Sequence, residues 1–246
     1  MSGAAHGPRR PRSGMAWALM ALASVVGVIV LLGLGVWQVQ RLSWKTDLIE
    51  RVEARVAAPA APAPAAAEWA AISPEADEYR RVALAGAYEF QDEVLVKAVT
   101  GQGSGFWVMT PLVTPEGWAV WINRGFVPDD RREASARARP EGPQQVSGLL
   151  RLTQPGGAFL RDNDPAGGRW YSRDVEALSQ HFGLTDHAPY FIDADSAPAA
   201  QALPIGGLTV VSFRNNHLSY ALTWFAMAAG LAAGAFYVLS RDRSQD

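Results

Sequence analysis

The sequence predicts an α+β membrane protein. Two transmembrane helices flank an extracytoplasmic, mostly antiparallel β domain, a sheet or a partly closed barrel, with about one short helix. Three observations predict this. Two long uncharged apolar runs stand near the ends of the chain. The region between them breaks into short segments of alternating polarity separated by turn residues. Within that region a single stretch carries helix start and stop signals.

Composition removes several classes of function. The 246 residues carry a formal net charge of −2, which leaves no nucleic-acid footprint. With no cysteine, disulfides, thiolate metal sites and Cys nucleophiles are excluded. Nine tryptophans lie in the chain, several of them at or near the ends of the apolar runs, where indole rings suit headgroup depth.

In chain order, residues 1–14 read as a disordered cytoplasmic tail containing Arg9, Arg10 and Arg12. Residues 15–38 read as the first transmembrane helix. Its apolar part, 16–37, would extend roughly 33 Å as a helix, enough for a bilayer core. A cleaved signal peptide is the rival, but the run is too long for a typical signal core and Leu34-Gly35-Val36-Trp37 is a poor cleavage site. Residues 39–67 read as a juxtamembrane helix followed by an extended Ala/Pro linker containing Pro59, Pro62 and Pro64. Arginines flank the first span on both sides, while Arg241 and Arg243 follow the second span. We therefore expect both termini to be cytoplasmic.

Residues 68–214 form the expected β-rich domain. Strands are expected from near Arg80 through Tyr88, and over 93–99, 106–113, 118–124, 144–153, 189–192 and 208–213. Thr114-Pro115-Glu116-Gly117 should turn the third into the fourth as a hairpin. A short helix is expected over 174–182, with Asp174 near its start and Gly183 past its end. Residues 215–239 read as the second transmembrane helix and 240–246 as a cytoplasmic tail. Ala226, Gly230 and Gly234 recur every four residues, a small-residue face suited to close approach by the first span, which has Gly27 and Gly33.

Several features of the middle domain imitate sites. The Gly101–Gly105 glycines lack the Lys and helix start of a phosphate loop. Asp162, Asp164 and Asp174 lack the alternation of a calcium loop. Arg124 is a candidate for an ion pair or a partner contact, and His181 and His187 have no third ligand nearby in sequence. No nucleophile elbow, zinc-protease helix or paired-carboxylate cleft is visible, so enzyme chemistry is not expected.

His217 differs in kind. An ionisable residue at a span's edge is a functional candidate. Neutral imidazole is the metal-binding form, and the positive end of the helix dipole favours it. Tyr220, Trp224 and Ala228 follow at helical spacing on its face. His217 could thus be one axial iron ligand, with Tyr220 and Trp224 as walls for a porphyrin. Arg214 and Arg41, at similar depth, could pair with haem propionates. The plainer alternative is an interfacial histidine hydrogen-bonded to Asn215 or Asn216.

Five stretches, in order from the first span to the second, carry a family resemblance. They are Leu34-Gly35-Val36-Trp37-Gln38 with Arg41 and Trp44-Lys45, and Gly105-Phe106-Trp107-Val108-Met109-Thr110-Pro111-Leu112. Next come Ile122-Asn123-Arg124-Gly125-Phe126-Val127-Pro128, and Asp162-Asn163-Asp164-Pro165 with Arg169-Trp170-Tyr171. The last is Arg214-Asn215-Asn216-His217-Leu218-Ser219-Tyr220-Ala221 with Thr223-Trp224-Phe225. The chain resembles the Surfeit-locus cytochrome c oxidase assembly factors in their bacterial form.

The resemblance implies a multi-pass protein of the bacterial inner membrane with its main domain in the periplasm. It also implies an assembly factor that binds haem a as cargo and helps deliver it to, or stabilise it in, the catalytic subunit of a haem-copper oxidase. The family's haem-linked histidine maps onto His217. The implied partners are that subunit, haem a synthase as a further candidate, and membrane lipid. A scaffold that holds oxidase subunits without haem is the alternative.

Overall fold

The structure is a computed structural model that describes residues 14–156, 161–196, 203–209, 211, 213 and 215–243. Two compact units emerge. Met1–Ile49 with Phe213–Asp246 forms one, and Glu50–Ser212 the other.

The first unit contains two long helices. Helix α1 spans Gly14–Ala57, and its last two turns belong to the second unit. Helix α4 spans His217–Arg243. Both are long and apolar enough to cross a membrane, as the sequence leads one to expect. They pack antiparallel. Gln38 of α1 meets His217, a Cβ on Gly35 would enter the ring of Phe225, and a Cβ on Gly27 would lie 2.8 Å from Leu231 Cδ2. The buried stripe of α4 includes Ala221 and Ala228, each 2% exposed.

This packing corrects the expected small-residue face. Ala226, Gly230 and Gly234 are exposed, and Cβ atoms added to the two glycines would meet nothing within 4 Å. Gly33 also faces open space, whereas Gly35 lies against α4. The seam follows the positions where a bulky Phe225 or Leu231 fits a glycine on the opposite helix. Repetition of small residues alone does not choose it.

The second unit is the mostly antiparallel, partly closed barrel. Strands β1 (Ala61–Pro62), β2 (Arg81–Tyr88), β3 (Val94–Thr100), β4 (Gly103–Val113), β5 (Ala119–Pro128), β6 (Gln144–Leu152) and β7 (His187–Ala194) form one sheet. Their order is β1-β2-β6-β7-β5-β4-β3. A short pairing of Ala87 and Tyr88 with Val113 and Leu112 joins β2 to β4, so β2, β6, β7, β5 and β4 form a ring. Among the named strands, β1–β2 and β5–β7 are the parallel pairs. The expected hairpin from β4 to β5 is present, its turn closed by Gly117 N–H donating to the Thr114 carbonyl at 3.0 Å. The glycine loop at 101–105 is a tight β3–β4 turn that runs into β4, with Thr100 paired to Gly103.

The alternation read from the sequence becomes two cores. Val82, Leu84, Leu112, Val120, Ile122, Leu150, Tyr190 and Ile192 point one way and pack together with Trp118. Val94, Val96, Met109, Trp121 and Phe191 point the other way, against Trp170 and the helix α3 (Val175–Phe182). Successive residues of β5 thus serve both cores, which explains why that strand is buried almost throughout. Asp174 caps α3 through Ala177 N–H, and Gly183 ends it in the left-handed conformation. A four-residue helical turn, α2 (Pro74–Asp77), precedes β2.

Two expectations change here. The Ala/Pro stretch, expected as an extended linker, joins the barrel, where Ala61–Pro62 adds a short parallel edge to β2. No strand forms at Leu208, Thr209, Val211 or Phe213, and Val210 and Ser212 lie outside the described residues. Thr209 donates its hydroxyl to Asp193 at 2.7 Å instead.

Candidate functional site

Two clusters of buried charge in the barrel, around Glu93 and around Asp193, are saturated among the described residues. Glu93 accepts from Arg124 Nη1 at 2.9 Å, Arg137 Nη2 at 2.6 Å and Thr110 Oγ1 at 3.1 Å, with Arg139 Nη2 at 3.5 Å. Burial pushes the Glu93 carboxyl up, but Arg137, Arg124 and Thr110 outweigh it and hold the group below the usual carboxylate range. A β-bulge explains how Arg124 reaches it. Val108 pairs with Gly125 but Met109 pairs with Asn123, which leaves Arg124 as the extra residue. Gly125 follows at φ +131°, with its missing Cβ facing the Ile205 carbonyl, so only glycine fits. Arg124 is 9% exposed and stacks over Tyr88 and Phe90. Of its two expected roles, the ion pair is the one formed. As a buried residue it cannot report on a partner surface.

Asp193, on β7, accepts from Asn123 Nδ2 at 2.7 Å, Arg151 Nη1 at 2.8 Å, Arg173 Nη1 at 3.1 Å and Thr209 Oγ1 at 2.7 Å. Arg151 also bonds Glu78, and Arg173 bonds Gln154. Four donors on one carboxylate leave nothing for a ligand. An open cleft of about 700 Å³ lies beside Asp130, Arg131, Glu133 and Arg137. It offers no histidine or tyrosine to a metal, and Arg137 is committed to Glu93. Asp164 is tied to Arg169 and to Gly167 N–H, and among the described residues no cluster could hold a metal ion.

The helix pair is different. α4 begins at His217 because Asn215 and Asn216 satisfy its first backbone groups. Asn215 Oδ1 accepts from His217 N–H at 3.4 Å, and the Asn216 carbonyl accepts from Tyr220 N–H at 3.2 Å. The plainer alternative is met at the backbone, where Asn215 accepts from His217 N–H, while the ring is taken by neither asparagine. Its Nδ1 lies 2.7 Å from Gln38 Oε1 on the other helix. The half-buried ring therefore has one nitrogen in a cross-helix hydrogen bond, and Nε2 has no hydrogen-bond partner among the described residues.

Of the other expected site residues, Trp224 is half-buried and Tyr220 is 55% exposed. Arg41 stands three residues past Gln38, about 4.5 Å further along α1, with its guanidinium over the Trp44 ring. Arg214 lies outside the described residues. Lys45, one turn beyond Arg41, sits over Phe213 at 4.7 Å. The sequence reading missed Gln38 as a functional residue. A signal existed, since Gln38 is the first polar residue after the apolar run and stands at one end of it as His217 stands at the end of the other.

This donor set suits an iron porphyrin. One imidazole nitrogen has no hydrogen-bond partner among the described residues, aromatic side chains follow on the same helix, and cations lie within one or two turns of Gln38. If haem is bound, His217 would hold its iron.

Comparison with known proteins agrees in extent. The SURF1 family model matches residues 25–229, from within the first span into the second. Surfeit locus protein 1 of Homo sapiens is 33% identical over 236 residues, covering 88% of this chain and 75% of the human protein. The Takifugu rubripes protein of that name is 34% identical, covering 80% of this chain and 87% of its own length. The mouse protein is 35% identical, with 80% and 68% covered. The match runs through both helices and the barrel, and on it the chain belongs to the SURF1 family, known as cytochrome c oxidase assembly factors.

Proposed function

We propose that this protein is a membrane-bound assembly factor for a haem-copper oxidase that carries haem a on His217, without turnover of its own. The observation that supports it most directly is the His217–Gln38 hydrogen bond, which engages one ring nitrogen and leaves the other available. Gln38, Arg41 and Lys45 line successive turns of α1 from that point. Arg41, with Arg214 on the other chain segment, would neutralise the propionates, and Trp224 and Tyr220 would flank the macrocycle. The bound group supplies the redox-active iron that the oxidase needs. The chain's task is to hold it out of water until transfer.

The proposed setting is a bacterial inner membrane with both termini cytoplasmic and the barrel periplasmic. The oxidase catalytic subunit would be the recipient and haem a synthase the donor. Co-expression with haem a synthesis tests this. Purified protein should carry the pigment, and His217→Ala should lose it while still accumulating in the membrane. Full retention of pigment in that variant removes His217 from the ligand role. A scaffold that binds no haem would yield colourless protein that still co-purifies with oxidase subunits.

A further inference from the structure

The bond between His217 and Gln38 has a direction. An amide oxygen only accepts, so with Gln38 Oε1 facing Nδ1 at 2.7 Å the contact is a hydrogen bond in the tautomer that carries the proton on Nδ1. In neutral imidazole the lone pair then belongs to Nε2. Gln38 is 9% exposed and lies one helical turn from Gly35, where α1 meets Phe225. The amide is therefore held by a packed seam and is not free to swing in solvent.

We propose that Gln38 is the positioning residue of the His217 site. Its side-chain oxygen holds the ring in the Nδ1-protonated tautomer, aims Nε2 at the iron of an incoming porphyrin, and tunes how strongly that nitrogen donates. The inference rests on the haem reading above. Its physical basis is general: an acceptor on the far nitrogen of a ligating histidine fixes the ring and raises its basicity. A more basic imidazole stabilises the ferric state over the ferrous state and lowers the midpoint potential. The opposite orientation, with the Gln38 amide nitrogen donating to Nδ1, would place the proton on Nε2 and abolish ligation.

The test is a titration of the purified full-length protein in detergent with haem a. Binding is followed by absorbance and the midpoint potential of the bound haem is measured. Gln38→Leu removes the acceptor and should weaken ferric haem binding about 10- to 100-fold and raise the potential. Gln38→Glu keeps the size and supplies a stronger acceptor, and should lower the potential below wild type. Potentials moving in opposite directions cannot come from a general loosening of the helix pair. If both variants leave the potential at the wild-type value, Gln38 has no positioning role, even where His217→Ala abolishes binding. If wild-type protein binds no haem a, or His217→Ala binds as wild type does, the haem reading itself fails and the inference falls with it.

Discussion

Two buried carboxylates of the barrel and the histidine of the helix pair are treated in opposite ways. In the barrel, Asp193 and Glu93 are each surrounded by donors until no lone pair is left over, and each joins strands distant in sequence. Asp193 alone ties β5, β6, β7 and the segments at Arg173 and Thr209 together. In the helix pair, the hydrogen bond between Gln38 of α1 and His217 of α4 engages one nitrogen of the imidazole. Saturated buried charge specifies a fold. A ring with one nitrogen engaged leaves the other for chemistry. The difference also separates kinds of residue within the family motifs quoted above. Asn123, Arg124 and Gly125 are structural residues, whereas Gln38 and His217 meet at the proposed site.

Substitutions should divide along the same line. The largest stability effect belongs to the barrel. Asp193→Ala leaves Arg151 and Arg173 facing each other without their shared carboxylate and should cost about 3–5 kcal/mol. Tryptophan fluorescence during chemical unfolding of the full-length protein would report it. A loss of well under 1 kcal/mol would mean that the network is not what holds the barrel. By contrast, His217→Ala should leave barrel unfolding unchanged by the same probe.

A smaller effect is expected at the seam of the helix pair. Gly35→Val would push into the Phe225 ring and should cost about 1–3 kcal/mol as overpacking, whereas Gly33→Val should be close to neutral. The pair of variants, compared for accumulation in the membrane and thermal inactivation, distinguishes this seam from one built on Gly33. Equal behaviour would refute the packing described.

The smallest effect is a pH dependence in the barrel. Glu93 has a folded pKa below its unfolded value of about 4.3. Its contribution to stability is therefore fully present above that value and is lost as pH falls through the folded pKa. Glu93→Gln removes the titration, so the stability gap between wild type and variant should narrow as pH falls below about 4.3. A gap independent of pH down to acid unfolding would show that Glu93 is not held ionised by its arginines.

Much of this was legible in the sequence because the strongest signals are periodic. Alternation located β2, β3, β4, β5 and β6 to within a few residues, and caps at Asp174 and Gly183 located α3. β1 was not legible, since Ala61–Pro62 has no side-chain pattern and joins β2 through its backbone. The alternation at 208–213 misled because Thr209 turns its hydroxyl to Asp193 and joins no described ladder. On the helices, hydropathy identifies spans but not the buried face. Gly33 and Gly35 are two residues apart, about 200° around the helix, so the wrong choice reverses the seam. Gln38 was hidden for a related reason: its partner lies 179 residues away, and a polar residue at a span edge ordinarily reads as a headgroup anchor.

The central claim is that His217 presents a free nitrogen to haem a. It is tested most directly by titrating haem a into purified wild-type and His217→Ala protein side by side. The account predicts saturable binding with the spectrum of imidazole-ligated haem a in wild type, and loss of that spectrum in the variant. Identical spectra and affinities in the two proteins would contradict it.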